Sequence, residues 1–160
     1  MKTPAIIGIL VVAVLLFLVS CGAPSDRELV LGTLRDLAHH AEKRDTDDIL
    51  KQIAGDYQDF EGRDKDATRG LLNEYFARYR GIVINILRSQ IDDISSTDAE
   101  VQCDLAFSSG AAKVFRKFAQ ISLDNYRLKV KMRKSGDDWL MTYAEWREIG
   151  PGELPAGPEK

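Results

Sequence analysis

The sequence is poor in cysteine and histidine, and this scarcity limits its chemistry. Among 160 residues there are 2 cysteines, Cys21 and Cys103, and 2 histidines, His39 and His40. Two cysteines cannot form a disulfide framework, and the CxxC, HExxH, Walker and GxGxxG patterns are absent from the sequence. Adjacent helical residues diverge by about 100 degrees, so the two histidines cannot grip one metal together. We expect neither a cofactor nor a metal site.

The sequence also lacks an excess of positive charge. It has 22 lysines and arginines against 25 aspartates and glutamates, for a formal net charge of -3. Proteins that bind nucleic acid carry basic patches that neutralise phosphates. We therefore expect no nucleic-acid partner.

Long apolar runs are absent except at the N-terminus. One run extends from Ala5 to Val19, after Lys2 and before Ser20-Cys21-Gly22. A membrane-spanning helix normally needs about 20 apolar residues, so an export signal is the better interpretation. The residues Leu18-Val19-Ser20-Cys21 resemble the lipobox of bacterial lipoproteins, in which a peptidase cuts before a cysteine that carries diacylglycerol.

This resemblance implies a cleaved signal peptide at residues 1–20 and a lipidated Cys21 in a short tether, residues 21–25. Each buried methylene of an acyl chain adds about 0.8 kcal/mol of binding, so the membrane is the expected partner through the lipid anchor. We expect a location in the cell envelope, facing the periplasm. An aspartate directly after Cys21 would resemble the inner-membrane retention signal of enteric bacteria. The residue at that position is Gly22, so the resemblance favours the outer membrane. The alternative is an ordinary secreted protein in which Cys21 has no role.

Helical periodicity dominates the first half of the mature chain. About 140 residues remain after the signal, enough for one domain, which we place at residues 26–149. Serine or aspartate stands before each apolar stripe and predicts a helix start. Residues 56–62 fit a short strand or an extended loop. The predicted helices span residues 26–44, 46–54 and 64–80.

Beyond residue 81 the apolar residues alternate with polar ones, which predicts strands. Cys103 falls on the apolar phase of the second strand, so a buried thiol is favoured over a reactive one. The last strand places Trp139, Met141 and Tyr143 on one face. The predicted strands span residues 82–87, 99–108, 126–133 and 139–147.

Two segments resist such an assignment. Residues 111–123 fit a helical turn or a strand extension about equally well. Residues 150–160 hold three prolines and three glycines, a composition that excludes a regular element and predicts a disordered tail.

Several pieces of the chain resemble the nuclear transport factor 2-like (SnoaL-like) superfamily. These are the helical hairpin leading into Ala54-Gly55-Asp56-Tyr57, the third helix after Gly62, and the ending from Asp138 to Trp146. The resemblance covers roughly residues 26–149. It implies an α+β fold in which three N-terminal helices pack on a strongly curved antiparallel sheet and form a cone with an internal cavity. It implies no single function, because the same shell serves dehydratases, isomerases, transport adaptors and proteins without known activity.

Enzymes of that superfamily use an aspartate or histidine as a base beside a tyrosine. The resemblance makes Asp56 or His40 the candidate base and Tyr57 the candidate acid. Each has a structural alternative, since a turn carboxylate caps backbone amides and a tyrosine ring fills a core.

Three further residues are candidates for lining a ligand pocket. Tyr75 and Tyr126 occupy apolar or boundary positions of a helix and a strand, where their hydroxyls need an acceptor. Asn85 lies between apolar residues of a strand, and a buried amide without partners is costly. We expect the Asn85 amide either to orient a ligand or to form a hydrogen bond with a backbone group.

Three functions fit these observations. The first, which we favour, is a non-catalytic domain that binds a small apolar or amphipathic molecule or docks an envelope protein. The second is a hydratase- or isomerase-like enzyme with its site inside the cone. The third is a structural module that forms a homodimer through the outer face of its sheet.

Overall fold

Three helices and five strands make up the part of the chain that the computed structural model describes, residues 24–108 and 124–154. The predicted signal peptide, Cys21 and the ambiguous residues 111–123 lie outside it. The helices are α1 (Asp26–Lys43), α2 (Thr46–Lys51) and α3 (Lys65–Arg78), and the strands are β1 (Ile53–Asp59), β2 (Val83–Ile94), β3 (Asp98–Ser108), β4 (Asp124–Ser135) and β5 (Asp138–Glu148).

Side-chain caps begin the helices where the sequence predicted them. Ser25 and Glu28 form a capping box at the start of α1, and Asp45 and Asp64 accept backbone N–H groups at the starts of α2 and α3. The helix α1 ends at Arg44, which adopts a left-handed conformation with φ 61°. These local signals set the helix boundaries.

The second helix is shorter than predicted. It ends at Lys51, and the following residues enter β1 instead of continuing the helix to residue 54. The backbone of Met141 in β5 donates a hydrogen bond to Gln52 O at 2.9 Å, and Ile53 pairs with Met141. Pairing with a strand distant in sequence therefore overrides the local helical pattern.

The sheet has the order β1-β5-β4-β3-β2. Strands β2 to β5 form an antiparallel meander, as expected. The strand β1 pairs parallel with β5, so the sheet is mixed and not purely antiparallel. The α+β class with three helices packed on the sheet is confirmed.

An irregularity in β5 changes which residues face the helices. Lys131 pairs with Tyr143 and Met132 pairs with Met141, so Thr142 has no partner in the ladder. Ala144 is consequently buried in the core after Met141. The prediction that Tyr143 shares the face of Met141 is wrong, because the bulge inverts the alternation.

The core lies between the helices and the inner face of the sheet, the face that carries Val101 of β3 and Val130 of β4. Val30 of α1 and Trp139 of β5 are among its fully buried side chains. The indole N–H of Trp139 donates to the Asp26 carboxylate at 3.4 Å, which joins the start of α1 to the sheet. Among the described residues, no helix is long and apolar enough to cross a membrane.

The C-terminal segment contains a short 3-10 helix, Pro151–Glu153. Glu153 pairs with Arg147 of β5 at 2.6 Å, and its backbone carbonyl accepts a hydrogen bond from Arg127 of β4. The prediction that this tail contains no regular element is therefore wrong for these three residues. The tail beyond residue 154 lies outside the described part.

Candidate functional site

A cavity of about 490 Å³ lies between the helices and the inner face of the sheet, next to the core. Cavities of a few hundred cubic ångströms are typical binding sites for drug-sized molecules. Side chains from α1, α3 and every strand contribute to its wall, which is mostly aliphatic and aromatic. The apolar wall includes Leu34, Leu37, Leu72, Phe76, Ile82, Ile84, Leu105, Phe107, Leu128 and Met141.

Polar groups reach this wall in two clusters along α3. Thr68 belongs to the first turns of α3, and Tyr75 lies seven residues later. Because a helix rises 1.5 Å per residue, these positions are about 10 Å apart along the axis. We call the cluster at Thr68, with Tyr57 and Asp59, the inner cluster, and the cluster at Tyr75 the tyrosine cluster.

The inner cluster contains a buried carboxylate. The Asp59 side chain is 1% exposed and pairs with the Arg63 guanidinium, Nε to Oδ2, at 2.7 Å. The other carboxylate oxygen accepts the backbone N–H groups of Glu61 and Arg63, each at 2.9 Å. Burial alone would raise the pKa of Asp59, but these hydrogen bonds and the Arg63 charge outweigh it and lower the pKa below its usual range.

The aromatic ring of Trp146 fixes the other side of Arg63. The guanidinium carbon lies 5.3 Å from the centre of that ring, a cation–π distance. Phe60 packs edge-on against the same ring, with 4.8 Å between the centres. Arg63 is therefore held between Asp59 and Trp146, and the carboxylate that it neutralises lies in the cavity wall.

The phenol of Tyr57 lies next to this carboxylate. Tyr57 is 3% exposed, and burial, together with the negative charge of Asp59, raises its pKa to about 12. The hydroxyl of Thr68 lies close enough to lower that pKa slightly, yet Thr68 Oγ1 is buried and has no partner that satisfies hydrogen-bond geometry. Two neutral hydroxyl groups thus adjoin the cavity here.

The tyrosine cluster reaches the surface of the protein. Tyr75 is 47% exposed, and its ring centre is 5.6 Å from that of Tyr79. Tyr126 of β4 lies near both, and its pKa is raised by burial and then by the charges of Asp124 and Glu148. This cluster lines one end of the cavity with aromatic rings, one of which is partly exposed to solvent.

The three catalytic candidates from the sequence do not meet. Tyr57 lines the cavity, whereas the neighbouring Asp56 points to the other face of β1 and pairs with Arg133 at 2.8 Å. The exposed side chain of Asp56 has a pKa lowered by the Arg133 hydrogen bond. His40 does not line the cavity. Strand alternation separates Asp56 from Tyr57, and only Asp59, two residues further on, shares the face of Tyr57.

The pocket candidates are divided between two surfaces. Tyr75 and Tyr126 line the cavity. Asn85 is exposed and lies outside it, in a shallow open groove between α1 and β2 that Arg35 and His39 also line. Ile84 and Ile86, on either side of Asn85, supply the cavity wall. The prediction that the Asn85 amide is buried is therefore wrong, because its side chain lies on the exposed face of the strand, as that of Leu87 does.

Sequence reasoning missed Thr68 as a cavity residue. Thr68 precedes Leu72 by one helical turn, so it belongs to the apolar stripe that continues through Tyr75 and Tyr79. A hydroxyl in an apolar stripe was the available signal. Asp124 was missed because its position depends on the pairing of β3 with β4.

One group of side chains outside the cavity has ligand atoms suited to a metal. Atoms of His40, Asp45 and Asp48 lie within 4.8 Å of one another, and His40 Nδ1 is 3.8 Å from Asp48 Oδ2. Both carboxylates already have partners, since Asp45 caps α2 and Asp48 binds Lys51. The N-terminus of a helix also repels cations, so this geometry favours a structural role.

Comparison with known proteins shows the fold. No protein-family model matches the chain, and no curated protein does. A protein of unknown function with a cystatin-like fold from Nostoc punctiforme superposes with a TM-score of 0.64 at 16% identity, over 84% of this chain and 98% of that one. A proposed dehydratase of the nuclear transport factor 2-like family from Streptomyces avermitilis gives 0.64 at 12%, over 78% and 97%.

A nuclear transport factor 2-like protein of unknown function from Pseudomonas putida gives a TM-score of 0.63 at 13% identity, over 81% of this chain and 94% of that one. Identities this low establish a shared fold and nothing further about activity. The chain therefore has the cystatin-like fold of nuclear transport factor 2-like proteins, which confirms the fold that the sequence resemblance implied.

Proposed function

We propose that this protein is a lipid-anchored envelope protein that binds a small, largely apolar molecule in its cavity without catalysing a reaction. The observation that carries the proposal is a cavity of about 490 Å³ with an apolar wall. Leaving such a wall exposed to water is unfavourable, and an apolar ligand would cover it. A ligand would enter at the partly exposed Tyr75.

The ionisable groups of the cavity favour binding over catalysis. A general base works best when its pKa lies near the working pH. Asp59 has a lowered pKa, and its carboxylate oxygens already accept hydrogen bonds from Arg63 and Glu61. Tyr57, with a pKa of about 12, holds its proton too firmly to be an efficient acid near neutral pH. Both groups are fixed in states that recognise a ligand better than they move protons.

The membrane anchor is the second part of the proposal. It rests on the apolar run Ala5 to Val19 and on the lipobox-like Leu18-Val19-Ser20-Cys21. In this proposal, acyl chains on Cys21 hold the domain at the envelope, with the outer membrane favoured.

The binding experiment uses a neutral dye, N-phenylnaphthylamine, whose fluorescence rises in apolar surroundings. We expect a saturable rise with the wild-type domain. Ala41 lines the cavity, so Ala41→Phe fills part of it and should weaken dye binding at least about tenfold. Ala77→Phe is the matched control, because Ala77 is exposed on α3 and outside the cavity wall. Equal binding by the two variants, or no binding by the wild type, would contradict the proposal.

The anchoring experiment replaces Cys21 with serine. In the organism that produces the protein, wild-type chain is expected in the envelope fraction and to incorporate labelled palmitate. The Cys21→Ser variant is expected to lose the label and leave the membrane pellet. Cys103→Ser, at a buried thiol, is the control and should keep both properties. A serine variant that still pellets would refute the anchor.

A dehydratase- or isomerase-like enzyme is the second candidate, favoured by the adjacency of Tyr57 and Asp59 inside the cavity. It requires turnover of a cavity ligand that Asp59→Asn abolishes while dye binding persists. The third candidate, a dimer formed through the outer face of the sheet, predicts a sedimentation coefficient that rises with concentration. Either result would displace ligand binding as the main activity.

A further inference from the structure

The inner cluster gives the cavity a chemical preference, and this inference rests on the proposed ligand-binding function. We propose that the ligand is an uncharged molecule with a mostly hydrocarbon body and a hydroxyl or carbonyl group that hydrogen-bonds to Thr68 and Tyr57. The tyrosine cluster at the other end of α3 would contact the body of the molecule.

The hydroxyl of Thr68 is buried at the cavity wall beside the phenol of Tyr57. A threonine in a helix can donate to the carbonyl four residues earlier, but Thr68 Oγ1 makes no hydrogen bond of good geometry in this protein. Even a bond between the two hydroxyls would leave lone pairs and one proton unused. Buried polar groups are nearly always paired, so this unused capacity indicates a partner supplied from the cavity.

The phenol of Tyr57 can donate a hydrogen bond to a ligand in the cavity. Tyr57 is 3% exposed and lines the same part of the wall. With a pKa of about 12 it keeps its proton at physiological pH, so it can donate to a carbonyl or hydroxyl oxygen. Thr68 can accept or donate as its hydroxyl rotates. Together they match a group that accepts one hydrogen bond and donates or accepts another.

The cavity wall contains acidic side chains and no basic ones among the described residues. The acidic residues that line it are Asp59 and Asp124, and no lysine, arginine or histidine does. Asp59 lies close enough to raise the pKa of Tyr57, so a carboxylate bound at Thr68 would face a second negative charge. Arg63 donates its Nε–H to the Asp59 carboxylate, and Arg63 does not line the cavity. A neutral polar group therefore fits the inner cluster better than an acid.

The experiment compares three small competitors of equal shape for displacement of N-phenylnaphthylamine. Pentylphenol carries the hydroxyl, pentyltoluene replaces it with a methyl group, and pentylbenzoate replaces it with a carboxylate. We expect the phenol to bind about threefold to tenfold more tightly than the toluene, the range set by one net hydrogen bond. We expect the benzoate to bind more weakly than the phenol.

Thr68→Val keeps the shape of the side chain and removes its hydroxyl. We expect it to bring the phenol and toluene affinities to within about twofold of each other. Thr33→Val is the matched control, because Thr33 already donates to Leu29 O at 3.1 Å and does not line the cavity. Tyr57→Phe should also reduce the preference, and thermal melting of each variant verifies that it folds.

The outcomes separate this inference from the function on which it rests. No binding of the dye or of pentyltoluene means that the ligand-binding function and the preference both fail. Binding of the dye and toluene with no preference for the phenol, or with tighter binding of the benzoate, overturns the preference alone. A preference that survives Thr68→Val overturns the assignment to the inner cluster.

Discussion

Asp104 and Arg127 face each other on the outer face of the sheet, the face opposite the cavity, and form two parallel hydrogen bonds. Arg127 Nε lies 2.7 Å from Asp104 Oδ1, and Arg127 Nη2 lies 3.0 Å from Asp104 Oδ2. The two residues are register partners in β3 and β4. Asp104 is 1% exposed, so the guanidinium supplies the stabilisation that water would otherwise provide.

Removing the guanidinium should destabilise the protein strongly. Arg127→Met removes both hydrogen bonds from the guanidinium to the buried Asp104 carboxylate and leaves Arg147 as the nearby positive charge, so we expect a clear fall in the free energy of unfolding. Urea unfolding followed by circular dichroism measures the loss. Lys131→Met is the matched control on the same strand, because Lys131 and its partner Glu100 are 59% and 53% exposed and such pairs contribute little. A similar loss in both variants would contradict this account of the pair.

Acid should unfold the protein partly through Asp59. Its pKa in the folded protein lies below the unfolded value of 3.8, so its contribution is fully present above that value and is lost as pH falls through the folded pKa. We expect Asp59→Asn to show a smaller loss of stability than the wild type between about pH 5 and pH 2. Urea midpoints at a series of pH values give the slopes.

The control for Asp59 is its near neighbour Asp56. Its pKa is lowered as well, but its side chain and that of Arg133 are 60% and 53% exposed. Solvent screens such pairs, so Asp56→Asn should leave the pH profile close to that of the wild type. If stability depends less on pH in Asp56→Asn than in Asp59→Asn, the buried carboxylate of Asp59 is not the group whose protonation destabilises the protein in acid.

The pH at which the protein unfolds in alkali should depend on Tyr57. The folded protein holds its pKa at about 12, whereas the unfolded chain titrates near 10.0. A raised folded pKa means that stability is retained below the unfolded value and is lost as pH rises towards the folded one. We expect Tyr57→Phe to unfold at higher pH than the wild type. Tyr75→Phe, at a partly exposed ring, should not move the midpoint, and an equal shift would disprove the assignment.

Cys103 should be inert to thiol reagents in the folded protein. It is 3% exposed, and burial, with a smaller effect from the Asp104 charge, raises its pKa to about 12. The thiolate is the reactive form, so labelling of the folded protein should be slow. In a Cys21→Ser chain, where Cys103 is the single thiol, labelling should accelerate with urea as the protein unfolds. Rapid labelling without urea would contradict the burial.

Cavity ligands should slow that labelling further. Cys103 lies in the cavity wall, so a bound molecule covers it, and binding stabilises the folded state by an amount that grows with the logarithm of the ligand concentration. The comparison is made with and without a saturating amount of pentyltoluene. Unchanged labelling at saturation would place the bound molecule outside the cavity.

Local chemistry in the sequence was sufficient for the helix starts and for most strand faces. Ser25, Asp45 and Asp64 each cap a helix because the donor and acceptor lie within four residues of each other. The alternation of apolar residues along β3 and β4 placed Cys103, Tyr126 and their neighbours on the cavity side, because side chains of a strand alternate between its faces. Such signals act between residues close in the chain, so they are visible without a structure.

Tertiary structure alone decided the rest. The parallel pairing of β1 with β5 shortened α2, and the bulge at Thr142 turned Tyr143 away from the core, because both depend on residues distant in sequence. The same is true of the inner cluster, where a hydroxyl from α3 meets a phenol from β1. The sequence determines which chemical groups a side chain carries. Its hydrogen-bond partners and its exposure to water are determined only when segments distant in the chain pack together.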